Sequence, residues 1–179
     1  MELLVLLQKI RNPILDYVCM FFTLCGQDAV LMLIFCTLYW CKDKTYAMRV
    51  GLSFISSALI VQTLKIICVV PRPWMLNSSI KPVEMAKKGA SGYSFPSGHT
   101  QSATSIYATI AWNSSKSITK VGLFFLILLV AFSRLYLGVH TPLDVTSSLV
   151  ISILVVVGIN TLFDSAILDK VKRDTFFAI

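Results

Sequence analysis

The chain has 179 residues and a net charge of +7, with 56% hydrophobic residues, only 14% charged ones and a mean hydropathy of +0.76. Soluble domains carry about a quarter charged residues, and apolar runs this long have nowhere to hide in a small globule, so composition excludes an ordinary soluble domain. The cations fall in short clusters between apolar runs, with no basic stripe interleaved with aromatics, which excludes nucleic acid as a partner and points to a lipid bilayer.

Six apolar segments in chain order predict an all-α integral membrane bundle of about six transmembrane helices, organised as a single domain over residues 1–179. The first, 7–25, begins as an interfacial amphipathic turn. In Met1–Arg11 the cations Lys9 and Arg11 follow the apolar stretch, and no small-residue cleavage site comes after them, so these residues read as mature protein and not as a signal peptide. Gly26-Gln27-Asp28 breaks the chain before a short second segment, 28–41. The third is 46–70, the fourth and least apolar 98–112, the fifth 118–137 and the sixth 142–163. A mixed-charge tail, 164–179, reads as interfacial. Between the third and fourth lies a loop, 71–97, with Pro71, Pro73 and Pro82 ahead of Pro96 and no helical period. Long loops of this kind are usually functional or disordered. Cys19, Cys25, Cys36, Cys41 and Cys68 lie mostly within apolar segments, where they read as small packing residues. Their odd number argues against a disulfide framework, and none has zinc-ligand spacing with a histidine nearby.

Lys and Arg counts in short loops set orientation. Six alternating spans place Lys9, Arg11, Lys42, Lys44, Arg49, Lys116, Lys120, Lys170, Lys172 and Arg173 on one side. Lys81, Lys87 and Lys88 lie on the other, together with Lys65, Arg72 and Arg134. The first side is then cytoplasmic, with Trp40 and Trp112 at the inner interface and Trp74 at the outer one.

Three clusters of reactive residues fall on that outer face: Lys65 and Arg72-Pro73; Pro96-Ser97-Gly98-His99; and Ser133-Arg134, His140 and Asp144. An unpaired cation beside an apolar segment is costly, and a shared dianion compensates all three. The arginine fork matches phosphate with two parallel hydrogen bonds. Ser97-Gly98 precede a helix, whose N-terminus offers free N–H groups to an anion, and Gly98 lets the backbone approach closely. The chain has two histidines, and both lie in these clusters. Two histidines beside an anion site can divide nucleophile and general-acid duties. His140 and Asp144 are four residues apart, on one helical face if the sixth helix starts early, so the carboxylate can hold one ring nitrogen protonated and leave the other free.

Lys65 through Pro73, Pro96 through His99, and Ser133 through Asp144 together resemble the three-part signature of the type-2 phosphatidic acid phosphatase superfamily, the lipid phosphate phosphatases. The layout is similar to the membrane branch, in particular its small bacterial members. The resemblance implies that His140 attacks phosphorus to form a phosphohistidine, Asp144 orients it, and His99 protonates the leaving group and then serves as base for the hydrolytic water. It also implies that Lys65, Arg72, Ser97, Gly98 and Arg134 hold the phosphate oxygens, with no metal and no cofactor; Ser133 supports the loop. The expected substrate is a membrane lipid phosphate or pyrophosphate, entering sideways from the bilayer: undecaprenyl pyrophosphate, phosphatidate or phosphatidylglycerol phosphate. The expected location is the bacterial cytoplasmic membrane with the site facing outward, where Lys81, Lys87 and Lys88 attract an anionic headgroup. The competing readings are a phosphatase of a soluble ester such as a sugar phosphate, and a non-catalytic lipid-binding membrane protein.

Overall fold

The computed structural model describes residues 1–165, so most of the tail expected at the interface lies outside the described residues. Every regular element among them is a helix: α1 (Glu2–Lys9), α2 (Pro13–Cys25), α3 (Asp28–Cys41), α4 (Lys44–Cys68), α5 (Pro73–Leu76), α6 (Glu84–Lys88), α7 (Gly98–Trp112), α8 (Ser117–Tyr136) and α9 (Pro142–Asp164). All six apolar segments are helical. The proline-rich loop is less irregular than its sequence suggests. Pro73 occupies the first turn of α5, where its missing N–H costs nothing. Glu84 opens α6 and Lys87 and Lys88 close it, each complementing the helix dipole.

Length and apolarity qualify three stretches as spans: α4 with its continuation to Leu76, α8 and α9; α2 and α3 qualify as one span bent by 45°. The break between them is closely packed. A Cβ at Gly26 would lie 2.7 Å from Val130 Cγ1 and 2.9 Å from the His99 carbonyl oxygen, so the chain passes here only as glycine. The expected first helix is also divided, because the Asn12 side chain accepts from Leu15 N at 3.0 Å and starts α2 afresh at Pro13, leaving α1 as a separate helix.

α7 is the axis of the bundle. Its 15 residues rise only about 22 Å, short of the roughly 30 Å hydrocarbon core. Thr100, Gln101, Ser102, Thr104, Ser105 and Thr109 are buried, with α4, α8 and α9 packed around them. That explains why the segment is the least apolar: protein covers it, not lipid. Small residues allow the close approach, Ser53 and Ser57 on α4 and Ser148 and Ser152 on α9, all fully buried. Gln101 Nε2 donates to Ser57 Oγ at 2.8 Å, crosslinking α7 to α4.

The end contacts correct the expected topology. Gln8 Nε2 donates to the Ser79 carbonyl and its Oε1 accepts from Lys81 N at 2.8 Å, while Arg11 donates to the carbonyls of Lys81 and Tyr136. The N-terminus therefore lies at the same end of the bundle as the 71–97 loop, not opposite it. With α2 and α3 as one bent passage, the described chain runs along the bundle five times. At the far end, Trp112 Nε1 donates to Asp164 Oδ2 at 3.1 Å and Arg49 pairs with Asp164. With Lys65, Arg72 and Arg134 set aside, Lys9, Arg11, Lys81, Lys87 and Lys88 occupy one end and Lys42, Lys44, Arg49, Lys116 and Lys120 the other. The charge asymmetry expected from the sequence is absent among the described residues; what remains of it rests on Lys170, Lys172 and Arg173, outside them.

Candidate active site

The three clusters meet because three helix ends meet. α4 ends just after Lys65, α7 begins at Gly98, and the turn between α8 and α9 carries His140. They surround a polar cavity of about 360 Å³ lined by Lys65, Arg72, Gly98, His99, Arg134 and His140. Ser97 and Asp144 sit behind its wall. Ser97 is fully buried, and its Oγ shares a 2.9 Å hydrogen bond with Thr100 Oγ1. Its backbone N–H donates to the Asp144 carbonyl at 3.1 Å, tying the start of α7 to α9. Gly98 faces the cavity beside Lys65, whose Nζ would be 4.0 Å from a Cβ placed there.

His140 is fully buried, with a hydrogen bond at one ring nitrogen and a carboxylate facing the other. Arg72 Nη1 lies 3.0 Å from Nε2. Arginine has donors only, so Nε2 carries the lone pair and Nδ1 the proton. Nδ1 faces Asp144 Oδ2 at 3.5 Å. Burial pushes the imidazole down to about 3, against the opposing pull of the Asp144 carboxylate, so it stays neutral at ordinary pH. Asp144 is itself fixed: Oδ2 accepts from Ser94 Oγ at 2.6 Å and from Thr141 N at 2.7 Å, and Asp144 N donates to Thr141 Oγ1 at 3.2 Å. The last two form a capping box at the start of α9. The aspartate is thus both a helix-terminal acid and the partner of His140.

Arg72 is clamped by the loop that follows it. Nε donates to the Gly92 carbonyl at 3.0 Å, Nη2 to that of Ser91 at 2.7 Å, and Nη1 also to that of Val139 at 3.0 Å. Arg134 donates from Nη1 to Thr23 Oγ1 at 3.2 Å, while its buried Nε has no hydrogen-bond partner. A buried guanidinium with a spare donor beside a cavity fits an anionic oxygen. Ser133 Oγ bonds the Val130 carbonyl at 2.7 Å and Thr23 Oγ1 at 2.8 Å, so it ties α8 to α2 and, among the described residues, makes no side-chain bond to the loop it is expected to support. Lys81, Lys87 and Lys88 do not line the cavity, and Lys87 pairs with Glu84 at 3.8 Å.

Sequence reasoning missed Ser94, Thr23, Asp28 and Gln101. Ser94 and Thr23 support the His140–Asp144 pair and Arg134, and Asp28 and Gln101 line the cavity. The Thr141-x-x-Asp144 capping pattern was a readable signal; isolated serines and threonines carry none. Among the described residues, no three His, Cys, Asp or Glu side chains converge as metal ligands. The assembled groups offer one neutral imidazole with an oriented lone pair, a second imidazole across the cavity, and three cations. Such a set can bind a phosphate, attack it and protonate what leaves.

The sequence pattern of the PAP2 superfamily matches residues 46–167. Undecaprenyl-diphosphatase BcrC of Bacillus subtilis is 26% identical over 147 residues, 81% of this chain and 73% of the relative. Human sphingosine-1-phosphate phosphatase 2 is 27% identical over 154 residues, 83% of this chain but only 38% of the relative. The crystal structure of Aquifex aeolicus LpxE superposes with a TM-score of 0.79 at 28% identity, covering 89% of this chain and 93% of that one. A PAP2-type phosphatidylglycerolphosphate phosphatase from Bacillus subtilis shares the fold, with a TM-score of 0.77 at 24% identity over 90% of this chain and 82% of that one.

Proposed function

The chain belongs to the PAP2 superfamily, and from that premise we propose that it is a membrane phosphatase that hydrolyses a lipid phosphate or pyrophosphate through a phosphohistidine at His140. The observation that carries this reading is the single cavity holding Lys65, Arg72, Arg134 and both histidines. Lys65, Arg72, Arg134 and the Gly98 backbone take the phosphate oxygens, with Ser97 shaping the turn. As phosphate enters, Arg72 Nη1 exchanges His140 Nε2 for a phosphate oxygen, which frees the lone pair. Nε2 attacks phosphorus, the phosphorus–oxygen bond to the leaving group breaks, and His99 gives that oxygen a proton. Asp144 stabilises the charge appearing on the ring. His99 then takes a proton from water, which attacks phosphorus, breaks the phosphorus–nitrogen bond and returns His140 with free phosphate.

A second cavity supports the lipid reading. It is apolar, about 290 Å³, lined by Leu31, Met32, Phe35, Val50 and Gly51 among others, and it shares Asp28 and Phe54 with the polar one. A chain lying there reaches the phosphate site without leaving the bilayer, avoiding about 0.8 kcal/mol for each methylene exposed to water. The names of the curated relatives are those of enzymes acting on phosphorylated lipids, and undecaprenyl pyrophosphate is the first candidate. The site faces away from the cytoplasm of a bacterial membrane in this reading, which rests on the excess of Lys and Arg that Lys170, Lys172 and Arg173 add to the sequence after α9.

The test is phosphate release by purified protein across lipid monophosphates and pyrophosphates of graded chain length. Long chains are expected to have the highest kcat/KM. Glucose 6-phosphate matching the best lipid would overturn the lipid assignment.

A further inference from the structure

Arg11 lies outside the matched family region, residues 46–167, yet it reaches the turn that carries His140. α8 ends at Tyr136, and the chain turns away through Gly138 at φ +75°. The last carbonyls of a helix have no intrahelical partner. Arg11 supplies one in trans: Nε and Nη2 both donate to the Tyr136 carbonyl, at 3.0 and 2.7 Å. Nη1 donates to the Lys81 carbonyl in the site loop. The guanidinium also lies 5.9 Å from the centre of the Tyr136 ring, whose hydroxyl donates to Asp16 Oδ1 at 3.0 Å. Gly138 leaves the room: a Cβ there would stand 2.7 Å from Arg11 Nη2. The capped turn is the one in which the N–H groups of Val139 and His140 both donate to the Arg134 carbonyl, at 3.2 and 3.4 Å.

We propose that Arg11 is a positioning residue for the nucleophile: it caps α8, fixes the 137–140 turn against the site loop, and so sets His140 relative to Arg134 and Arg72. The role rests on the reading of His140 as nucleophile. The cap acts first on the turn that carries the attacking group, while Arg72 keeps its own bonds to the Gly92 and Ser91 carbonyls, so its loss affects turnover more than binding. A misplacement of about 1 Å can cost on the order of 100-fold in rate.

The experiment is steady-state phosphate release by the purified full chain from one long-chain lipid monophosphate, with wild type, Arg11→Ala and Arg11→Lys. Arg11→Ala is expected to lower kcat about 10- to 100-fold with KM within about threefold, and added guanidinium ion is expected to restore part of the loss. Arg11→Lys keeps the stem and the charge but not the fork, and serves where the alanine variant fails to fold. It is expected to lose kcat several-fold at unchanged KM. An active wild type with kcat unmoved in a folded variant, or with KM alone rising, overturns the role. A wild type that releases no phosphate from any lipid overturns the functional reading, and this role with it.

Discussion

His140 and Asp144 show how far residue-level reading reaches. The spacing of four is written in the sequence, but α9 starts only at Pro142, so His140 stands ahead of the helix and meets Asp144 across the Thr141 cap and not along one helical face. The direction of the lone pair is not written there either: it follows from Arg72, 68 positions away, which can only donate. The same holds for Ser94, whose hydroxyl reaches Asp144 across the cis Phe95–Pro96 region. A serine has no chemical signature until tertiary structure gives it a neighbour. The neutrality of His140 leads to a prediction. Because the chain has two histidines, His99→Ala leaves His140 as the sole imidazole to be followed by nitrogen NMR. Its folded-state value, lowered from 6.5 to about 3 by burial, keeps the ring neutral as pH falls through 6.5, with the proton on Nδ1. A midpoint near 6.5, or a proton on Nε2, would show that the ring is not buried and held as described. The sign extends to stability: the unfolded ring takes up a proton first, so stability is full above 6.5 and declines as pH falls from there toward 3.

At the scale of elements, the helices were legible from apolar runs, and their number of crossings was not. α2 and α3 each hold too few residues to span the hydrocarbon core, with 13 and 14. Whether two such pieces are two spans or one bent span depends on what packs against the break. Here Gly26 packs where a Cβ would meet Val130 and the His99 carbonyl, a close approach that no local pattern encodes. α7 was legible as a helix, and its modest hydropathy becomes intelligible once α4, α8 and α9 are seen to enclose it. Gly26→Ala is expected to destabilise the protein by about 1–3 kcal/mol through overpacking and to lower kcat by displacing His99. Gly122→Ala is the control, since a Cβ there meets nothing within 4 Å. Thermal unfolding in detergent reads the comparison; equal melting temperatures for the two variants would contradict the packing at the bend.

For the whole molecule, the end that holds the cavity also holds the N-terminus, and the far end holds Trp40, Trp112 and the start of α4. In a cysteine-free background, cysteines introduced at Ser79 and Leu3 are expected to label from the same side of the membrane and one at Asn113 from the opposite side, with Ser79 reached from outside. Leu3 labelling with Asn113 would contradict the five-passage path; outside labelling of Asn113 alone would reverse the orientation. Substrate class belongs to this scale too, because the apolar cavity adjoins the polar one only through the packing of α3 on α4. The central claim, a lipid phosphate transferred to His140, is tested most directly by quenching turnover of a long-chain lipid carrying labelled phosphate and mapping the label along the chain. The account predicts label on His140 in the wild type, slower labelling of the same residue in His99→Ala, and none in His140→Ala; label on His99, or on any residue of the His140→Ala protein, would contradict it.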